Sequence, residues 1–510
     1  FIHCNTAYDS MIRTGTNQGI TAGYGQLFNI SGCGKDGVDM TNELTYMLLE
    51  VIDEMSPLLE PKPNVRLHQN SPEKLLDKVT DMIAVSQGAP FLLNFDERSM
   101  AGMLLEAKKS GTEKYINLDN VHEYASVGCL ENTMCGNDRS ATVDCNLNLL
   151  KALEYTLNDG NDLMEYKDML WGKKIAQTDA APKTGDPRAF KDFDEFFKAF
   201  ELQTKHIIGL MANFYSEMDA AKAKFSPTPY LSAIVKGCAE NGKDITEGGA
   251  ELNFVTIEIV TYASTVDSLL AVKYLVYDKK LCTMDELIKA LRSNWIGYEK
   301  LQAAAINKAP KYGRDDDEAD ELARKVMELW SEECWKYKTI TGKQFRGGML
   351  SWNYWISSGY ILPASPDGRK RGQFLSNAIC PVNGADINGP TSNSNSVGKA
   401  LGGRSEKGDY LDYNNYLPNG ASHTITLNPS LVKDAENKEK LKAFLKGYVK
   451  NGGTALQINI LDTEMLKDAQ KNPQNYRHLL VRITGYNAYF TSIGKELQDE
   501  IIARESHKCM

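Results

Sequence analysis

Residues 476–506, YRHLLVRITGYNAYFTSIGKELQDEIIARES, decide the reading of this chain. Residues 479–483 have the length and apolarity of a strand, Thr484-Gly485-Tyr486 breaks it, and an amphipathic helix follows through Gln498-Asp499-Glu500-Ile501-Ile502. A glycine between bulky residues ordinarily marks a positive φ or a close backbone approach, and alone Gly485 would carry no more than that.

Working outward, the same alternation recurs. Helical spacing of apolar positions predicts helices over 40–57, ending near Pro57, and over 73–88, with others at 140–158, 188–222, 262–278 and 284–310. Asp315-Asp316-Asp317-Glu318 reads as a solvated helix start, because consecutive acids lack the alternation of a calcium loop. Short apolar runs at 90–94 and 454–459 have strand length. Helices alternating with such runs place the chain in the α/β class. Residues 172–187 read as a surface excursion, and from about 340 onward glycine- and proline-rich connections multiply, among them Pro366-Asp367-Gly368-Arg369 and Gly389-Pro390-Thr391.

Composition excludes several functions. With 67 acidic against 58 basic side chains and a net charge of -9, the chain offers no general phosphate-binding field, so nucleic acid is not an expected partner. No apolar run approaches a membrane span. Ten scattered cysteines without a CxxC pair, and seven histidines without HExxH, argue against a disulfide scaffold and against a metal site, and fit a reduced, cytoplasmic protein. Neither GxGxxG nor a P-loop is present.

A second segment carries chemistry: Ser126-Val127-Gly128-Cys129-Leu130-Glu131-Asn132. A lone cysteine after a small residue is more often core than catalyst, but in an extended segment positions 129 and 131 share a side, so a thiol and a carboxyl group face one cavity.

Together these stretches resemble the glycyl radical enzymes of the pyruvate formate-lyase-like superfamily. Arg482-Ile483-Thr484-Gly485-Tyr486 with Phe490 is similar to their radical loop, and Gly128-Cys129-Leu130-Glu131 to their cysteine loop; Ala309-Pro310-Lys311-Tyr312-Gly313, Ser365-Pro366-Asp367-Gly368-Arg369 and Gly389-Pro390-Thr391 agree as well. The resemblance implies a ten-stranded α/β barrel of which this chain is the C-terminal portion, with 1–460 a partial barrel body bearing the cysteine loop and 461–510 the radical domain. A missing N-terminal half or a companion chain is then expected to close the barrel, and the reading admits a homodimer.

The resemblance also implies the chemistry. Gly485 stores a radical installed by a separate activating enzyme that uses S-adenosylmethionine and an iron–sulfur cluster; no cofactor is bound by the chain itself. Cys129 becomes the thiyl radical that attacks a small-molecule substrate, and Glu131 acts as a base or orients a substrate group. A carboxylate two residues after the cysteine resembles the lyase branches rather than the transferase branch, which has adjacent cysteines. Arylacetate decarboxylation is slightly favoured, on the long interval between positions 129 and 485. The alternatives are a glycyl radical dehydratase or other C–O or C–N lyase, radical addition to fumarate as in X-succinate synthases, and a noncatalytic structural relative. Thr142, Glu251, Trp352 and His423 are secondary candidates for lining the substrate site.

Overall fold

A computed structural model of the chain describes residues 9–10, 21–22, 27–58, 62–85, 91–128, 130–139, 144–163, 181–350, 354–404, 413–504 and 506–507. Its frame is a wall of eight strands: β1 (Leu27–Ser31), β2 (Lys62–Leu67), β3 (Leu92–Phe95), β4 (Cys145–Asn148), β5 (Phe254–Val260), β6 (Gln344–Gly348), β7 (Ser422–Leu427) and β8 (Ala455–Ile460). β1, β2 and β3 are mutually parallel, as are β4, β5 and β6, and as are β7 and β8. A parallel bridge from Met349 to Ala421 carries β6 on to β7, and β8 meets β3 antiparallel, with Ala455 opposite Asn94. Five parallel strands thus meet three of the opposite sense, in the order β4-β5-β6-β7-β8-β3-β2-β1, and Ser506–His507 lies along the end of β7.

The two faces of this wall differ, because successive side chains of a strand point to opposite sides. One face is apolar. Ile30, Val65, Leu67, Leu93, Phe95, Ile425, Leu427, Leu456 and Ile458 form one core beneath helices Glu43–Met55, Glu73–Val85 and Ala435–Asn451. Val255, Ile257, Ile259 and Phe345 belong to a second, larger core that takes in helices Phe193–Phe225, Tyr262–Val272 and Asp317–Cys334. The intervening positions are polar: half-buried Asn29, and buried Asn64, Arg66, Asn94, Thr256, Glu258, Arg346, Thr424, Gln457 and Asn459. Buried polar side chains need partners, and Asn29, Arg66, Asn94, Gln457 and Asn459 find them on two short hairpins, Tyr124–Val127 with Glu131–Met134 and Leu480–Arg482 with Asn487–Tyr489.

The long helices lie where periodicity puts them, with three instructive differences. The helix expected over 140–158 is a strand followed by a shorter helix, β4 and then Leu150–Leu157; residues 140–143 lie outside the described residues. Parallel pairing of Cys145–Asn148 with Ile257–Val260 overrides the local helical pattern there. The helix expected over 284–310 divides into Met284–Arg292 and Glu299–Asn307, because Asn294, Trp295 and Gly297 turn through positive φ and bury the Trp295 indole. Gly389-Pro390-Thr391 opens helix Pro390–Ala400, with proline at the first turn, where its missing N–H leaves nothing unsatisfied. Among the described residues no helix is long and apolar enough to cross a membrane, and no group of three or more metal-ligating side chains occurs.

One buried charge pair ties the wall to the first hairpin. The Arg66 guanidinium spans Asp96 with bonds of 2.8 and 3.1 Å and donates to the carbonyls of His122 and Tyr124. Asp96 also accepts from the Tyr124 hydroxyl and the Cys33 N–H, both at 2.7 Å. Burial alone would raise the Asp96 carboxyl; the Arg66 charge and these bonds outweigh it and hold it below the usual range. Arg66→Met, which strands that carboxylate, is expected to cost roughly 3–5 kcal/mol, seen as an earlier transition in calorimetry, and Arg66→Met/Asp96→Leu to recover most of the loss. Equal thermograms for the single variant and the wild type would contradict this.

Candidate active site

The hairpin carrying Gly485 closes through an Ile483 N–H bond to the Tyr486 carbonyl at 2.9 Å, and residues 482–487 are all buried. Gly485 has φ +69°, in the left-handed region that costs glycine almost nothing. Three side chains hold its backbone. Gln457 on β8 accepts the Gly485 N–H at 2.8 Å. Asn459, two residues along the same face, accepts the Arg482 N–H and donates to the Arg482 carbonyl, both at 3.1 Å. Arg504, paired with Glu500, donates to that same carbonyl.

The other hairpin is hung the same way. Asn29 on β1 accepts the Ser126 N–H at 3.1 Å and donates to the Ser126 carbonyl at 3.3 Å. Asn94 on β3 donates to the Tyr124 hydroxyl, the Ser126 hydroxyl and the Asn132 carboxamide. From the opposite side, Asn132 donates through its N–H to the Asn419 carbonyl and through its side chain to the Pro418 carbonyl. Cys129 itself lies outside the described residues, but its neighbours define the turn. Gly128 has φ +57° and Leu130 has φ +89°, and the Leu130 N–H returns to the Val127 carbonyl at 2.9 Å. A leucine in that region stores of the order of 1–3 kcal/mol, strain of the kind that gathers at reactive sites.

Glu131 is 2% exposed, directly opposite Val127 in the hairpin. Its carboxyl folds back over the turn, so that a Cβ at Gly128 would stand 2.6 Å from Oε2. A second carboxyl shares this region. Glu258 on β5, fully buried, accepts from the Leu350 N–H at 2.8 Å and from the Asn419 side chain at 3.1 Å. Burial, then the Glu131 charge, push its carboxyl well above the usual carboxylate range.

The other expected residues are placed as follows. Thr142 and Trp352 lie outside the described residues. Glu251 is half-buried ahead of β5, where it accepts from the Asn137 side chain at 2.9 Å. His423 is not brought to the site. It alternates with Thr424, which bonds Gln457, and therefore points to the opposite, apolar face, where its Nδ1 meets the Tyr448 hydroxyl at 3.1 Å. Burial there pushes its imidazole down to about 3, so it sits neutral in the core. Unanticipated from sequence are Asn29, Asn94, Gln457, Asn459 and Glu258. Their signal was available as polar residues at every second position of otherwise apolar strands, LLNF, ALQINI and FVTIEIV among them.

Two family descriptions match the chain: "Pyruvate formate lyase-like" over residues 5–357 and "Glycine radical" over residues 375–491. Trans-4-hydroxy-L-proline dehydratase of Clostridioides difficile is 34% identical over 93% of this chain and 56% of its own length. (2S)-3-sulfopropanediol dehydratase of Klebsiella oxytoca is 31% identical over 94% of this chain and 55% of its own. The glycerol-bound B12-independent glycerol dehydratase from Clostridium butyricum superposes with a TM-score of 0.84 at 31% identity, over 98% of this chain and 59% of that one. Indoleacetate decarboxylase of Tractidigestivibacter scatoligenes is more distant, 25% identical over 93% of this chain and 53% of its own length. The chain spans a little over half the length of these relatives.

The two-point grip on Arg482 makes a local prediction. Asn459→Leu removes the side-chain acceptor of the buried Arg482 N–H and one of two donors to its carbonyl, which keeps Arg504; at a cost of about 1–3 kcal/mol, amide exchange at 482–487 should rise roughly 5- to 150-fold while that of 124–134 stays as it was. Unaltered protection at 482–487 would contradict the assigned role.

Proposed function

We propose that this chain, which belongs to the pyruvate formate lyase-like family of glycyl radical enzymes, forms the reacting part of a radical dehydratase acting on a small hydroxylated molecule. The observation that carries the reading is the Glu131 carboxyl, buried beside the cysteine turn and folded over Gly128. An activating enzyme removes a hydrogen atom from Gly485, leaving an α-radical delocalised over the two adjoining peptide groups. Cys129 gives its thiol hydrogen to that radical and becomes a thiyl. The thiyl takes a hydrogen atom from a hydroxyl-bearing substrate carbon next to a second carbon that carries a hydroxyl. Glu131 accepts the proton of the first hydroxyl as the second departs, that proton completes the departing water, and the product radical recovers a hydrogen atom from Cys129. Burial of residues 482–487 keeps solvent and oxygen from a radical on Gly485. In this reading residues 461–510 are the unit that stores the radical, and 1–460 the body that presents the cysteine.

The preference for arylacetate decarboxylation gives way to the dehydratase alternative. It rested on the interval between the two loops, and chain length between two sites grows through surface connections that leave the chemistry untouched. The relatives support the alternative, since those named as dehydratases are 34% and 31% identical and the decarboxylase 25%. With the whole protein activated in the absence of oxygen, a panel of vicinal diols, hydroxylated amino acids and arylacetates should yield loss of water from a hydroxylated compound and no carbon dioxide from any arylacetate. Glu131→Gln should lower kcat roughly 100- to 10,000-fold with the radical content intact. Carbon dioxide release from an arylacetate at wild-type radical content would overturn the proposal.

A further inference from the structure

Two stretches that stand out in the sequence, Ala309-Pro310-Lys311-Tyr312-Gly313 and Ser365-Pro366-Asp367-Gly368-Arg369, have no part in the mechanism above. In the fold they meet. Together with residues 382–385 and Asp267 of helix Tyr262–Val272 they line a cavity of about 260 Å³, room for several waters or one small molecule. None of its lining residues belongs to either hairpin. Two glycines let the loops close on their neighbours. At Gly313, with φ +95°, a Cβ would stand 2.3 Å from Pro381, and at Gly368, with φ +102°, it would stand 2.4 Å from Ile306. The Tyr312 hydroxyl and the Arg314 Nε then pin the first loop to the carbonyls of Ile379 and Ala385, at 3.1 and 2.6 Å.

The charged side chains on this cavity are unequally occupied. Asp367 accepts from the Ser365 hydroxyl at 2.6 Å and the Arg369 N–H at 3.3 Å, and the Arg369 guanidinium is spent on Ser365 and on the carbonyls of Lys370 and Gln373. Lys311 is different. It is 4% exposed, and its ammonium, with three hydrogens to donate, makes no hydrogen bond or ion pair with any described residue. The terminal nitrogens of Arg314 are likewise unbonded. Asp267 gives one oxygen to the Tyr312 N–H at 2.9 Å, and its buried Oδ2 has no partner. Burial pushes that carboxyl up to about 6, against the pull of Lys311. A buried cation is costly unless something accepts from it, so the Lys311 ammonium needs acceptors from within the cavity. Lys311, Arg314 and Arg369 outnumber Asp267 and Asp367 there, and a net positive space takes a negatively charged acceptor in preference to water alone.

We propose that this cavity binds a small oxyanion, a carboxylate or a tetrahedral phosphate-type group, held by the Lys311 ammonium and the terminal nitrogens of Arg314. The guanidinium offers paired donors to two oxygens, and the ammonium a compact charge. An anion in the same space opposes the ionised form of Asp267, so binding draws a proton onto that carboxyl and tightens as the pH falls. The site needs neither a radical nor a hydroxylated substrate, and it stands or falls separately from the dehydratase reading.

Calorimetric titration of the unactivated whole protein with sulfate and with acetate, at an ionic strength held constant with sodium chloride, tests the site. At least one of the two should bind saturably. Preference for sulfate marks a tetrahedral oxyanion as the ligand, and preference for acetate a carboxylate. Lys311→Met should weaken binding at least about 10-fold. Asp267→Asn, which keeps an acceptor for the Tyr312 N–H, should instead tighten it. The same variant should remove the gain in affinity that the wild type shows from about pH 7.5 to 5.5, a range over which both probes stay ionised. Amide exchange at 311–314 and 382–385 should slow on binding, with that of 124–134 unchanged. Damage to the fold would weaken both variants, so the opposite signs identify an anion site. The absence of saturable binding by either anion overturns the proposal, as does binding that both substitutions weaken or that neither alters.

Discussion

The structure depends on a problem of unpaired backbone. Two hairpins, each a two-stranded sheet of its own, lie against the polar face of the wall, so their outward N–H and carbonyl groups need partners that strand ladders do not supply. Side-chain carboxamides answer that need with the same two-point geometry at both places. Asn29 bridges the N–H and carbonyl of Ser126, and Asn459 bridges those of Arg482. An asparagine side chain carries the donor and acceptor of a peptide group, so it extends the hydrogen-bonding pattern of its own strand onto the neighbouring hairpin. Each bond contributes only about 0.5–1.5 kcal/mol net, but leaving such a buried group unmade costs about 1–3 kcal/mol, and it is this asymmetry that fixes the hairpins in place.

That construction explains the division of the wall into an apolar and a polar face. The apolar face supplies the cohesion, through cores shared with long helices. The polar face gives up apolar burial in order to hold two reactive turns at defined positions, and it concentrates charge where water is excluded. Arg66 with Asp96, Arg346 with Glu106, and Arg139 with Asp144 are each internally matched. Glu258 is held by the Leu350 N–H and the Asn419 carboxamide, and burial first, then the Glu131 charge, raise its carboxyl. Strain at Leu130 and the left-handed conformation at Gly485 mark the two turns the arrangement exists to present.

Much of this was legible in the sequence. The helices at 43–55, 73–85 and 193–225 follow from apolar periodicity, and Gly485 and Cys129 stand in segments whose surroundings announce them. What could not be read is partnership at long range. Residues 145–148 look helical until β5 is there to pair with them. His423 is a plausible site residue until strand alternation turns it toward Tyr448. Gln457 and Asn459 read as ordinary polar interruptions of a strand, and only the docked hairpin shows that they face Gly485 and Arg482. Period-two polarity within buried strands was the unused signal, since a fully buried polar position needs a partner from somewhere.

The central claim is that the two hairpins are held so that the glycine and the cysteine exchange a hydrogen atom. Electron paramagnetic resonance of the whole protein, activated without oxygen, tests it most directly. In ordinary water the account predicts a doublet from the remaining α-hydrogen of Gly485, absent in Gly485→Ala. In deuterated water the thiol of Cys129 carries deuterium, and reversible exchange should collapse the doublet, whereas Cys129→Ala should keep it. A wild-type doublet that persists in deuterated water, or a radical signal of the same form in Gly485→Ala, would contradict the account.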